Sequence, residues 1–309
     1  MKKINLHEPY QPQNFPPCVL LLGFFDGVHL GHQALLEQGR KLAKEKGIPL
    51  AILTFSRHPS MIFKKQSPFQ YLLPQAEKEE VFAEWGVDLL YCVEFTSRFA
   101  NLSAEDFVKK YILGLQARAV VVGFDYHYGA QKAASALDLK MALDAICPVT
   151  IVPCFEQGGK KVSSTRIRNA LRQGKMEEVQ ACLGHAYTMK GYVVRGDARG
   201  RTLGFPTANL NMPVDQLLPM DGIYIVEVAW EGKKYQGMAS IGHNVTFGAH
   251  ARSIEVHILD FNEEIYGETL AISWLHYLRA EEQFDSVREL IHQLQEDEKN
   301  TRQYFAQRK

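Results

Sequence analysis

Five short apolar runs punctuate the first half of the chain: CVLLLGFF (18–25), PLAILTF (49–55), LLYCVEF (89–95), AVVVGFD (119–125) and PVTIVP (148–153). Each is nearly continuous rather than alternating, the pattern of strands covered on both faces, as in a parallel sheet between helices. The stretches between them, HQALLEQGRKLAKEKG, PQAEKEEVFAEWG, SAEDFVKKYI and KMALDAI, read as helices. Lys46-Gly47 and Trp85-Gly86 are suitable helix ends. This alternation predicts a doubly wound α/β sheet, and such sheets take ligands at the carboxyl ends of their strands.

After Gly184 the texture changes. YTMKGYVVRG, GIYIVEVAW, KYQGMASIG, RSIEVHILDF and LAISWLHYL alternate or are rich in β-branched and aromatic residues, with glycines and short polar turns between them. That texture predicts an antiparallel barrel. A charged amphipathic helix, about 286–303, closes the chain. The expected fold is therefore α/β followed by all-β, with domains 1–185 and 186–309. A length of 309 residues suits two domains at roughly 100–200 residues each.

Composition narrows the function. The chain is 46% hydrophobic and 23% charged, with a formal charge of zero, so no basic field suggests a nucleic-acid partner. The longest apolar run falls far short of the roughly 20 residues that span a bilayer. The start, MKKINLHEPYQPQNFPP, lacks the apolar core of a signal peptide. A transporter is thus not expected. Five cysteines, odd in number and without CxxC spacing, read as buried free thiols in a reducing cytoplasm.

Two stretches carry candidate chemistry. The first, GFFDGVHLGH (23–32), stands where a strand becomes a helix. Gly23 and Gly27 permit a sharp turn, and Gly31 permits close approach of a ligand. The helix start offers unpaired N–H groups and a positive dipole end. His29 and His32, three apart, share a face there and can both donate to one phosphate. The dipole alone contributes about 0.3–1 kcal/mol; a donor aimed at developing charge contributes about 2.7–4 kcal/mol. On the residues alone, two ordinary capping histidines are the other reading.

The full GxFDGxHxGH pattern resembles the HxGH nucleotidyltransferases, which join the α-phosphate of a nucleoside triphosphate to an acceptor and release pyrophosphate. Their fold is Rossmann-like. Their second signature, ISSTxIR, is matched by VSSTRIR at 162–168. The resemblance makes Gly23, Phe25, Asp26, Gly31, Ser164, Thr165 and Arg168 nucleotide or phosphate ligands beside His29 and His32. Serine and threonine hydroxyls suit a helix start, and Arg168 brings a permanent charge.

The second stretch is GDARGRTLGFPTANL (196–210). Gly196, Gly200 and Gly204 make a flexible loop able to wrap phosphates, although GK[ST] is missing, so it is no P-loop. Thr207 and Asn209 offer oxygen ligands that suit Mg²⁺. In SIEVHILDF, Ile254, Val256 and Ile258 should face one way, and Glu255 and His257 the other. Glu255 can then take a proton from a substrate hydroxyl. A plain hairpin loop and a solvated glutamate remain open on the residues alone. Together, GFPTANL, GIY (222–224), EVH (255–257), YG (266–267) and LRAEEQF (278–284) closely resemble the riboflavin kinase domain.

The two resemblances in this order identify the chain as similar to the bacterial bifunctional riboflavin kinase/FMN adenylyltransferase (FAD synthetase) family. That resemblance implies riboflavin, FMN and ATP as partners, with Mg²⁺ accompanying ATP. It makes FMN and FAD substrate and product rather than redox cofactors. By the same resemblance, Glu255 is the kinase base, with Thr207 and Asn209 holding the Mg²⁺–nucleotide. It also puts Asp125, in VGFDYHYG, on the flavin side, together with Arg279 and Phe284. Three departures from the family stand out: Val245 replaces a proline, residues 130–135 replace a glycine-rich loop, and Tyr126 and Tyr128 replace phenylalanines. They leave open a chain with one of the two activities, or a non-catalytic flavin- or nucleotide-binding regulator. The choice between monomer and weak oligomer is open as well.

Overall fold

The computed structural model describes residues 1–9, 14–63, 69–196, 199–243 and 252–308. It divides into two compact units, Met1–Ser164 and Thr165–Lys309. In the first unit, β1 (Lys2–Leu6), β2 (Cys18–Leu22), β3 (Leu50–Phe55), β4 (Leu89–Val93) and β5 (Ala117–Gly123) precede a small hairpin of β6 (His127–Tyr128) and β7 (Ala134–Ser135). Then comes β8 (Val149–Val152), followed by a second hairpin of β9 (Glu156–Gln157) and β10 (Lys160–Lys161). The six main strands form one sheet in the order β1-β4-β3-β2-β5-β8, parallel throughout. Helices α1 (Leu30–Lys46), α2 (Ser60–Phe63), α3 (Gln75–Glu84), α4 (Ser97–Ala100), α5 (Ala104–Phe107) and α6 (Ala136–Leu143) fill the crossovers.

Period-two alternation sends successive residues of one strand into opposite cores. Leu20 and Leu22 pack with Tyr91, Tyr111 and Val120 on one face; Val19 and Leu21 pack with Leu36, Ile52 and Phe82 on the other. Both faces are covered, so the continuous apolar runs are explained. The doubly wound expectation holds. Strand β1 has no counterpart among the apolar runs. Its sequence KKINL is polar because it is an edge strand, paired with β4 on one side only and mostly exposed.

In the second unit, α7 (Ser164–Leu171, which starts on the last residue of the first unit) and α8 (Met176–Leu183) lead into β11 (Tyr187–Val194). A helical turn α9 (Arg199–Thr202) follows, then β12 (Ala208–Asn211), β13 (Gly222–Trp230), β14 (Lys233–His243), β15 (Arg252–Ile258) and β16 (Thr269–Arg279). These strands close into an antiparallel barrel in the order β11-β12-β15-β14-β13-β16. Alternate residues fill it, including Tyr224, Val226, Val256, Ile272 and Trp274. The terminal helix α10 (Val287–Ala306) is capped by the Ser286 side chain, which accepts from the Glu289 N–H.

Four of the five cysteines, Cys18, Cys92, Cys147 and Cys182, are buried, and none is in a disulfide. No helix among the described residues is long and apolar enough to cross a membrane.

Candidate active sites

The first site forms where β2 ends and α1 begins. Phe25 and Val28 hold left-handed φ values of 58° and 39°, conformations that cost a non-glycine residue roughly 1–2 kcal/mol each. The turn is fastened from below. The Phe24 carbonyl accepts from Lys78 Nζ at 3.1 Å and Thr54 Oγ1 at 3.2 Å. Asp26 Oδ1, almost fully buried, accepts from the Leu72 N–H at 2.9 Å. Burial pushes the Lys78 amine down to about 8, opposed by the nearby Asp26 charge.

His29 is the N-cap of α1. Its Nδ1 accepts from the His32 backbone N–H at 3.3 Å. A neutral imidazole carries one proton, so Nδ1 as acceptor leaves Nε2 as the donor. The two histidine rings stack with centroids 3.7 Å apart and 14° between planes. Gly31 makes room for this: a Cβ there would meet the His29 ring at 3.2 Å. Burial lowers His29 to about 4, with the Asp125 charge opposing. His32 is held well below its usual range by burial, then by the neighbouring His29 and Lys78. Both rings are therefore neutral at pH 7, which removes the repulsion a stacked charged pair would suffer. His32 Nδ1 is enclosed and has no hydrogen-bond partner among the described residues.

Ser164 opens α7, and its hydroxyl donates to the Asp26 carbonyl at 3.0 Å. This bond ties the two signatures together across 138 residues. Thr165 and Arg168 follow on the same helix, at the spacing that puts them on one face. Asp125 is exposed and paired with Lys161 at 2.5 Å, and that ammonium also sits 4.7 Å from the centre of the exposed Phe124 ring. In the 130–135 loop, Gln131 and Lys132 have left-handed φ values of 55° and 59°. Beside the site, Phe24, His58, Phe69 and Tyr71 form an aromatic cluster. Sequence reasoning missed it, because its members are spread over 48 positions with no local spacing signal.

The second site lies on the barrel. Strand β12 places Asn209 opposite Glu255 and Ala208 opposite Val256. Thr207 Oγ1 donates to Glu255 Oε2 at 3.2 Å. Burial along β15 alternates as expected, with Ile254, Val256 and Ile258 inside and Glu255 and His257 partly exposed. Gly196 is needed for close approach, since a Cβ there would stand 2.2 Å from Asn209 Nδ2. The glycine-rich stretch is less loop-like than its composition implies. Residues 199–202 form a helical turn, and Phe205 N–H closes it by donating to the Gly200 carbonyl at 2.8 Å.

Two cavities flank this segment. One, of about 440 Å³, is bordered by Arg201, Val256, Phe261 and Tyr266. The other, of about 170 Å³, is bordered by Leu203, Met238, Glu255, His257 and Asp297. Thr207 borders both. Arg279 makes a two-pronged bond to buried Asp297, with Nη2 to Oδ2 at 2.6 Å and Nε to Oδ1 at 3.0 Å. Phe284 lies half-buried between β16 and α10. Val245 falls outside the described residues.

Comparison with known proteins agrees with this layout. A family model described as FAD synthetase matches residues 11–166, and one described as riboflavin kinase matches residues 183–305. A bifunctional riboflavin kinase/FMN adenylyltransferase from Listeria monocytogenes is 46% identical, with 99% of each chain covered. Proteins of the same description from Bacillus subtilis (36% identical, 99% of each chain) and Escherichia coli K12 (35% identical, 94% of this chain and 93% of that one) are also similar. A solved structure described as a macrolide-efflux protein from Streptococcus pneumoniae superposes with a TM-score of 0.90 at 41% identity, covering 97% of this chain and 98% of that one.

Proposed function

The chain belongs to the bifunctional riboflavin kinase/FMN adenylyltransferase family, and from that premise we propose how its residues divide the work. It phosphorylates riboflavin to FMN and adenylylates FMN to FAD. The pneumococcal structure carries an efflux description, whereas both halves of this chain match transferase families. The functional division is taken at 185/186.

In the kinase half, the riboflavin 5′-hydroxyl must reach Glu255, so the flavin belongs in the smaller cavity and the nucleotide in the larger. Thr207 stands between them. Glu255 takes the hydroxyl proton as the new O–P bond forms to the γ-phosphorus and ADP leaves, a role typically worth about 10²–10⁴-fold in rate. The loop of Gly196, Gly200 and Gly204 wraps the phosphates. Thr207 and Asn209 offer neutral oxygens, which fits Mg²⁺, an ion that keeps several waters and shares phosphate ligands. When bound, that ion neutralises phosphate charge. Arg279 acts on the flavin cavity through Asp297, with Phe284 on the same flavin side.

In the first half, an FMN phosphate oxygen attacks the α-phosphorus of ATP. A P–O–P bond forms and pyrophosphate leaves. The attacking group is already an anion and needs no base, so positioning and charge stabilisation carry the step. His29 donates through Nε2, and His32 and the helix N–H groups add further donors. Gly23, Phe25, Asp26 and Gly31 shape the turn. Ser164, Thr165 and Arg168 are phosphate ligands, and Asp125 lies on the flavin side.

The observation that carries this reading is the Thr207–Glu255 hydrogen bond at the wall between two cavities, in one chain with a stacked, neutral histidine pair at a helix start. The test is product analysis with riboflavin, ATP and Mg²⁺, separating flavins by chromatography. FMN should appear first and FAD after it. Folded protein that binds flavin yet forms neither product would overturn the reading.

A further inference from the structure

We infer that His257 is a positioning residue for the kinase reaction: its Nδ1–H straps the Thr207-bearing segment onto the strand that carries Glu255. The inference rests on the reading of Glu255 as base and Thr207 as nucleotide ligand. Its Nδ1 lies 2.7 Å from the Pro206 carbonyl oxygen. A carbonyl only accepts, so Nδ1 must be the protonated nitrogen. That holds whether the ring is neutral or cationic, because the cation carries a hydrogen on both nitrogens. The strap is therefore insensitive to the ring's charge.

Its position explains its use. Pro206 has no N–H of its own to anchor it. The segment 204–207 reaches the barrel through few bonds before β12 begins to pair: Phe205 N–H goes to Gly200, within the same loop. The regular ladder starts only at Ala208, opposite Val256. Between those points, the His257 bond fixes Pro206 to β15, one residue before Thr207. Glu255 and His257 leave β15 on the same side, two residues apart. One strand thus holds the base directly and the base's partner through the strap. The Phe205 ring meets the His257 ring edge-on at 5.4 Å, which fixes the imidazole plane. Reacting groups that drift by about 1 Å can lose about 10²-fold in rate.

The experiment uses the full chain and two assays: riboflavin to FMN, and added FMN to FAD as an internal control. His257→Ala should lower the kinase kcat about 10- to 100-fold, leave the KM for riboflavin within about threefold, and leave adenylyl transfer unchanged. Asparagine places an amide nitrogen where Nδ1 stands, so His257→Asn should recover the kinase to within about threefold of the parent. Glutamine places its amide nearer Nε2, so His257→Gln should remain as slow as alanine. A His257→Ala enzyme with parental kcat overturns the inference. So does a His257→Asn enzyme as slow as His257→Gln, which would assign the imidazole to proton transfer instead. Glu255→Gln is run beside them: if it retains full kinase activity, the underlying reading of the site fails, whatever the histidine series shows.

Discussion

His29 is both a helix cap and, in the proposed mechanism, a phosphate donor, and two substitutions separate these roles. Its Nδ1 accepts from the His32 N–H, which leaves Nε2 as the ring's donor. Asparagine is among the best N-cap residues, so His29→Asn keeps the cap but lacks a donor at the Nε2 position. Alanine loses both. The cap is worth about 1 kcal/mol, so His29→Ala should lower the melting temperature of the first unit by about 2–4 °C, with more from the lost ring stack. Loss of a donor to developing charge costs about 2.7–4 kcal/mol, or 10²–10³ in kcat. Both variants should therefore slow FMN adenylylation by about 10²–10³ and stop the overall reaction at FMN, while riboflavin phosphorylation continues at the parental rate. Melting curves and the two rates on one preparation decide the matter. A His29→Asn enzyme that adenylylates FMN at the parental rate would show that the histidine is only a cap.

Acid should loosen the first unit. His29 takes a proton near pH 6.5 when unfolded but only at about 4 when folded. Between those values the unfolded state binds more protons, so stability is full above pH 6.5 and falls as the pH drops to 4. The loss is about 3 kcal/mol for His29, from the gap between 6.5 and 4 at about 1.36 kcal/mol per pH unit, with His32 adding in the same direction. Thermal melts from about pH 7.5 to 4.5 should show it, and His29→Asn should flatten the profile; superimposable profiles would refute the assignment. Asp297→Ala should cost about 3–5 kcal/mol, because it leaves Arg279 facing a buried site without its partner. Melting of the second unit measures that directly, and an unchanged transition would mean that the bond contributes nothing net.

How far the sequence could be read depends on the range of each signal. Continuous apolar runs located five of the six main strands, because burial on both faces writes itself into every residue of CVLLL or AVVV. That signal missed KKINL, whose pairing is with a strand 87 positions away and whose side chains meet water. The same limit applies to ANL at 208–210. Read as part of a loop, it lies in β12 because β11 and β15 offer their edges to it. Contacts among candidate site residues were legible where spacing along one element brings them together, as with the stacked rings of His29 and His32. They were not legible where contact is made across the fold. Lys78 under Phe24, and His257 on Pro206, have no local pattern that marks them. Within the 130–135 departure, Gln131 and Lys132 hold left-handed backbone angles, the region that glycine favours.

The two sites differ in a way that stems from their acceptors. A riboflavin hydroxyl must lose its proton as it attacks, so the barrel site needs a carboxylate with access to solvent, and Glu255 is partly exposed. An FMN phosphate arrives already ionised. A carboxylate there would repel it, and a base would have no proton to take. A set of donors that do not themselves titrate near pH 7 helps instead. Burial supplies them by holding His29 and His32 neutral. The histidines of the first site are already neutral from well below pH 6.5 upward, so adenylyl transfer has no limb of their making between about pH 6 and 9. In the proposed division, one transfer uses a proton acceptor and the next fixed donors, and burial keeps the histidine donors neutral.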